Sequence, residues 1–236
     1  MIQRPTILST IPLDPFLLNR AMDSGVLLDT ASFINIEPCS HEPAVAQEIE
    51  NVCAQPAIVV FTSANAVTSV CGSAGFKNPG WKIFCIERAT KKAVLQYFAE
   101  ADILGSADNS EDLALTIKNA PGVREVVFFC GDKRMDTLPA NLLASGIITK
   151  ETVVYKTVEQ SHFVEKDYDA ILFYSPSGVS SFFSMNTLNP DTVLFAIGNT
   201  TADAIKLETN NKIIVCDTPS KEILLYKAIS YFKETN

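Results

Sequence analysis

Apolar runs of four to seven residues alternate along the chain with amphipathic segments of about ten to fifteen, the pattern of a parallel sheet with crossover helices. The runs predict strands at Thr6-Ser9, Ala57-Phe61, Lys82-Ile86, Asp102-Leu104, Glu125-Cys130, Ala170-Tyr174, Val193-Ile197 and Lys212-Cys216, each followed by a helix. The fold class is therefore α/β.

Segments about 110 residues apart also resemble one another, and such repeats bear on the whole architecture. Ile58 to Val67 lines up with Ala170 to Val179, both reading as strand, serine cap and helix. Phe84 to Thr90 lines up with Phe195 to Thr201, and Ile103-Leu104 through Ser110 with Ile213-Ile214 through Ser220. A fourth unit, Val127 to Gly146, finds its counterpart at the other end of the chain, in Thr6 to Gly25. This order predicts two similar domains, one inserted in the other: an outer domain of residues 1–30 and 159–236 and an inserted domain of residues 38–152. The chain crosses between them at Ala31-Glu37 and Glu151-Val158, so 31–37 and 153–158 are expected to pair as a two-stranded β-ladder hinge.

Composition narrows the function. The 236 residues carry a formal net charge of −8, which argues against nucleic acid or an anionic membrane as partner, since either needs a contiguous basic footprint. No apolar stretch reaches the roughly 18 residues of a membrane span, and the start Met1-Ile2-Gln3-Arg4-Pro5 lacks the apolar region of a secretory signal. A cytoplasmic location is expected. The six cysteines form no C-x-x-C pair and read as buried free thiols. His41 and His162 read as surface loop residues, and neither has a second histidine or a cysteine at ligand spacing, so neither a metal site nor a Ser-His-Asp triad is expected. The default partner is a small molecule, bound by a monomer.

In open α/β sheets ligands bind beyond the C-terminal ends of the strands, where helix N-termini direct free N–H groups at them. Cap-type residues collect there. Ser175-Pro176 and Thr218-Pro219 pair a cap with a proline, Thr200 with Asp203 resembles a capping box, and Ser63 and Ser110 are expected to cap helices of the inserted domain. Arg88, Lys91, Lys92, Lys133 and Arg134 stand near the matching edge. Cations at a helix N-terminus oppose the macrodipole, which leaves ligand attraction as one reason for them and surface solvation as the other.

Five segments in this order carry a resemblance: Phe61-Thr62-Ser63-Ala64-Asn65-Ala66-Val67, Cys130-Gly131-Asp132-Lys133-Arg134 with Leu138-Pro139 and Leu142, Val153-Val154-Tyr155-Lys156-Thr157, Phe173 to Val179, and Ala196 to Ala202. Together they are similar to the successive motifs of the uroporphyrinogen-III synthase family over nearly the whole chain. The resemblance implies two Rossmann/flavodoxin-like domains, with hydroxymethylbilane bound in the cleft between them and no metal or organic cofactor. It implies loss of water from the hydroxymethyl group and ring closure with inversion of ring D through a spiro intermediate. By motif match the substrate would be held by Thr62, Ser63, Asn65, Ser175, Ser177, Gly178, Thr200 and Thr201, with Tyr155 as proton donor; Arg88, Lys133 and Arg134 join them as candidate carboxylate contacts. Two positions depart from the family pattern. Ile11 stands where an arginine is common, and Glu87 where a glycine is usual. A non-catalytic two-lobed protein that closes on an anionic small molecule is the alternative reading.

Overall fold

The computed structural model describes residues 4–72 and 76–235. Residues 1–3 and 236, expected in the outer domain, and 73–75, expected in the inserted one, lie outside the described residues. The chain separates into two compact units, Met1–Asn35 with Val158–Asn236, and Ile36–Thr157.

The outer unit opens with β1 (Thr6–Ser9), α1 (Pro15–Asp23) and β2 (Leu27–Thr30), and β3 (Ile34–Pro38) carries the chain into the inserted unit. There follow α2 (Pro43–Cys53), β4 (Ile58–Phe61), α3 (Ala64–Cys71), β5 (Lys82–Ile86), α4 (Ala89–Val94), β6 (Ile103–Ala107), α5 (Ser110–Asn119), β7 (Glu125–Gly131), α6 (Thr137–Ala144) and the long β8 (Ile148–Glu159). The outer unit then resumes with β9 (Ala170–Phe173), α7 (Pro176–Phe183), β10 (Val193–Ala196), α8 (Asn199–Glu208), β11 (Ile213–Val215) and α9 (Lys221–Thr235).

The outer sheet has the order β11-β10-β9-β1-β2, the inserted sheet β6-β5-β4-β7-β8 with β3 added beside β8. Strand for strand the two orders are the same, which is what a duplicated unit requires. The register refines the match at the fourth unit. Thr6 pairs with Leu27 and Glu125 with Ile148, so Thr6 corresponds to Glu125 and not to Val127. The inserted unit absorbs two more residues ahead of its helix, and correspondence returns at Gly25 and Gly146. Each of these glycines ends a helix at positive φ, +80° and +74°. After each, the next N–H reaches back into the last turn, Val26 to Ala21 O at 3.1 Å and Ile147 to Leu142 O at 2.9 Å, the Schellman closure that a left-handed residue permits.

The strands are apolar because helices cover both of their faces. Along β7, Val127 and Phe129 face a core containing Phe61, Trp81 and Phe98, while Val126, Phe128 and Cys130 face another containing Phe84, Leu113 and Leu138. The outer sheet divides likewise, with Ile7, Leu172 and Phe195 on one side and Leu8, Phe173 and Leu194 on the other. Each fully buried Phe or Leu side chain contributes roughly 1.5–3 kcal/mol from apolar burial.

β3 and β8 are antiparallel neighbours, since Cys39 N–H bonds Val154 O at 2.8 Å and Gln160 N–H bonds Phe33 O at 2.9 Å. Two elements escaped the sequence reading: β2, a four-residue strand with no buried residue, and α2, which follows no apolar run and starts with Pro43 at its first position.

Replacing Gly25 or Gly146 by alanine meets no atom within 4 Å, so the cost is the left-handed backbone alone, about 1–2 kcal/mol at each site. Urea unfolding should show both losses, with Asn at either position less damaging than Ala. An unchanged midpoint for both alanine variants would contradict the shared closure.

Candidate active site

In the inserted unit β4 ends at Phe61, and Thr62 and Ser63 follow at its C-terminal end. Ser63 lies in extended backbone and caps α3, its Oγ accepting the Asn65 N–H at 3.2 Å. Across β7, the long strand β8 carries an extra residue: Cys130 pairs with Val153, but Gly131 pairs with Tyr155. This bulge sets the Tyr155 ring directly over Gly131, where a Cβ would lie 2.4 Å from Cζ and 2.7 Å from the hydroxyl. Beyond the end of β7, Asp132 holds β8 in place; its N–H bonds Tyr155 O at 3.1 Å and its carboxylate accepts the Thr157 N–H at 2.8 Å.

The phenol so placed donates to Ser63 Oγ at 3.1 Å. Burial pushes its pKa above the ordinary tyrosine value, and the bond to Ser63 offsets part of that rise, so the group is protonated at neutral pH. A cavity of about 210 Å³ opens here, lined by Thr62, Ser63, Ser110, Gly131, Arg134 and Tyr155, with Ile86, Phe128, Met135 and Leu138 as its apolar wall. It is smaller than the roughly 300–1,000 Å³ that encloses a drug-sized ligand. One substituted ring fits it; a tetrapyrrole does not.

The basic residues of this edge are engaged by carboxylates. Arg88 pairs with Asp108 at 3.1 Å, Lys91 with Glu87 and Glu100 at 3.4 Å each, and Arg134 with both Asp136 and Glu151. Lys92 and Lys133 are exposed, on α4 and on the turn after β7. Glu87 is no loose negative charge: Ser106 Oγ and Lys91 Nζ both donate to its carboxylate, and the Ser106 bond leads in holding its pKa below the usual range. The next residue, Arg88, has φ +65° and ψ −119°, a conformation that costs a non-glycine residue about 1–3 kcal/mol.

In the outer unit Ser175 caps α7, accepting the Gly178 N–H at 3.1 Å, with Pro176 in the first turn. Ser177 is half-buried and Gly178 buried. The expected caps at Thr200, Thr218 and Ser110 are displaced. Gly198 takes the cap of α8, leaving Thr200 exposed inside the helix, Thr201 buried, and Asp203 bonded to Lys206 instead of closing a capping box. Ser220, with its Oγ 3.4 Å from the Ile223 N–H, stands where Thr218 was expected. Asn109, accepting the Asp112 N–H at 2.9 Å, caps α5, and Ser110 is its first residue. Ile11 packs on the outer core. Three polar groups at the end of β1 and β9 were missed: Ser9 donates to Ile11 O at 2.7 Å and contacts Tyr174 Oη at 3.4 Å, Thr10 donates to Leu172 O at 2.8 Å, and burial pushes the Tyr174 phenol up to about 12.

Other chemistry finds little support among the described residues. Cys53 is half-buried and the other five cysteines are buried; burial pushes Cys71 up to about 12 and Cys85 and Cys130 up to about 11, which leaves them as thiols. His41 is exposed, but His162 stacks on buried Phe33 with ring centroids 4.0 Å apart. No group of three or more His, Cys, Asp or Glu among the described residues could hold a metal ion, and no described helix is long and apolar enough to cross a membrane.

The model of the family described as uroporphyrinogen-III synthase HemD matches residues 21–225. The chain belongs to the uroporphyrinogen-III synthase family. Its members are cofactor-independent cyclising enzymes of tetrapyrrole biosynthesis, which disfavours the non-catalytic binder. Among solved structures the chain is similar to uroporphyrinogen-III synthetase from Helicobacter pylori, with a TM-score of 0.67 and 17% identity over 97% of this chain and 100% of that one. A mutant uroporphyrinogen III synthase from Thermus thermophilus gives 0.66 and 13% over 98% and 100%. At such identities these structures speak for the two-domain fold alone. No curated protein matches the chain in sequence.

Gly131→Ala should drive the Tyr155 ring off its seat. The expected cost is about 1–3 kcal/mol of stability, read by denaturant unfolding, together with loss of the Tyr155–Ser63 bond. In difference titrations against Tyr155→Phe, the Tyr155 phenol should ionise above pH 10. The raised value means that the folded state holds this proton more tightly, so its stability contribution is complete below pH 10 and disappears as pH rises through the folded pKa. Ionisation below pH 10 would contradict the burial.

Proposed function

We propose that this chain converts hydroxymethylbilane into uroporphyrinogen III, with Tyr155 supplying the proton that lets the hydroxymethyl oxygen leave as water. The observation that carries the reading is the phenol fixed over Gly131, protonated and bonded to Ser63 at 3.1 Å on the wall of a ring-sized cavity. Once water has left, the azafulvenium cation is reactive enough that the protein has mainly to hold the chain folded and decide which pyrrole carbon attacks. Arg134 and Thr62 line the same cavity and are proposed to meet a side-chain carboxylate of the bound ring. Asn65, Arg88 and Lys133 lie outside its lining; with Ser175, Ser177, Gly178, Thr200 and Thr201 of the outer unit they are proposed to hold the rest of the bilane. The protein acts in this reading as a cytoplasmic monomer, without a nucleic-acid or membrane partner.

Fresh hydroxymethylbilane incubated with the protein should yield uroporphyrinogen III, whereas spontaneous closure gives isomer I. Tyr155→Phe should lower kcat by roughly 10- to 1,000-fold with KM and product identity nearly unchanged, the range of a lost general acid. Isomer I alone from the unmodified protein would refute the assignment, and an unchanged kcat would reduce Tyr155 to a packing residue.

A further inference from the structure

The acceptor side of the Ser63 hydroxyl is full. A serine oxygen accepts two hydrogen bonds and donates one; here it accepts the Tyr155 phenol at 3.1 Å and the Asn65 N–H at 3.2 Å. What it has left is its own O–H, and Ser63 lines the 210 Å³ cavity. The phenol has a single proton, already directed at Ser63. An oxygen atom that enters the cavity therefore meets the Ser63 proton first.

We propose that Ser63 is the catalytic residue that hands the proton to the departing hydroxyl, and that Tyr155 is the reservoir that refills it. The inference rests on the reading that Tyr155 is the acid of this reaction. As the substrate C–O bond breaks, its electron pair stays on oxygen, the Ser63 proton joins that oxygen, and water forms. The phenol proton moves to Ser63 Oγ in the same step, so serine ends neutral and a phenolate faces the azafulvenium cation. The ring D carbon that carries the bridging methylene then contributes the electron pair of a new C–C bond to give the spiro intermediate. Its bond to that methylene breaks, the free α-carbon of ring D takes the methylene up through a second new C–C bond, and the proton this carbon loses as the ring regains aromaticity returns to the phenolate through Ser63. The net change is one water released. The geometry favours this path over direct transfer from Tyr155, because the buried phenol would have to break its bond to Ser63 before it could donate elsewhere, while the helix N–H on Ser63 stabilises negative charge developing on the serine oxygen.

The test separates the proton path from helix capping. Asn caps helices as well as Ser does but cannot pass a proton on, so Ser63→Asn should keep the melting temperature and lose kcat to within about tenfold of Tyr155→Phe. Ser63→Thr, which retains a hydroxyl, should recover most of the activity. The double variant Ser63→Asn with Tyr155→Phe should be no more than about threefold worse than the weaker single variant, because both break one path. In mixtures of light and heavy water the unmodified protein should give a curved dependence of kcat on deuterium fraction, from two protons in flight, and Tyr155→Phe a linear one. A Ser63→Asn variant as active as the unmodified protein, with Tyr155→Phe still impaired, overturns the relay and leaves Tyr155 as direct donor; a linear isotope dependence of the unmodified protein does the same. Full activity in both single variants overturns the acid assignment along with the relay, and formation of isomer I alone overturns the proposed function itself.

Discussion

A parallel strand covered by helices on both faces has no side chain to offer until it stops. Every residue of β9 and β10 is buried, and β4 is buried from Val59 to Phe61. Polar chemistry can begin only at the next residue, which is why Thr62-Ser63 and Tyr174-Ser175 occupy equivalent strand ends. The same positions start helices, so the hydroxyls that cap α3 and α7 also stand at the C-terminal edge of their sheets. Tyr155 reaches this edge differently. It comes from a strand that outruns its neighbour, held there by Asp132 after β7 has ended.

Where strands are buried on both faces, their sequence is close to a direct record of the fold. Continuous apolar runs marked eight strands to within a few residues, the six inner ones β1, β4, β5, β7, β9 and β10 and the edge strands β6 and β11, and the repeat of runs and caps pointed to two similar units. What burial does not dictate was harder to see. β2 lies at the sheet edge with Leu27 and Asp29 exposed, so no long apolar run announces it. The slip of two residues in matching Thr6 to Val127 has a related cause: β1 and β7 are both apolar, and only the pairing of Thr6 with Leu27 and of Glu125 with Ile148 fixes their correspondence.

At the site, residue type was informative and exact position was not. Ser63 and Ser175 cap their helices because each directly follows the last strand residue or the one after it, in extended backbone. Thr200, Thr218 and Ser110 are equally good cap residues by type, yet the turn geometry gives the role to Gly198, Ser220 and Asn109. The Tyr155–Gly131 contact was out of reach for a stronger reason. Without the bulge that lets Gly131 skip Val154, the residue paired with Gly131 would be the buried valine. A motif can carry both residues without revealing that one rests on the other.

Charge is where sequence reading and structure differ most in meaning. The cations of the inserted unit looked like a short-range attractant in a protein of net charge −8, but Arg88, Lys91 and Arg134 each already face a carboxylate. The pairs are not equivalent. Arg134 and Glu151 are only 26% and 28% exposed, whereas Asp136, the other partner of Arg134, is 90% exposed. An ion pair with so exposed a carboxylate is worth roughly 0–1 kcal/mol, less than the roughly 1.5–3 kcal/mol of a hydrogen bond to a charged group. Glu151 therefore contributes more than Asp136 to fixing the guanidinium at the cavity wall.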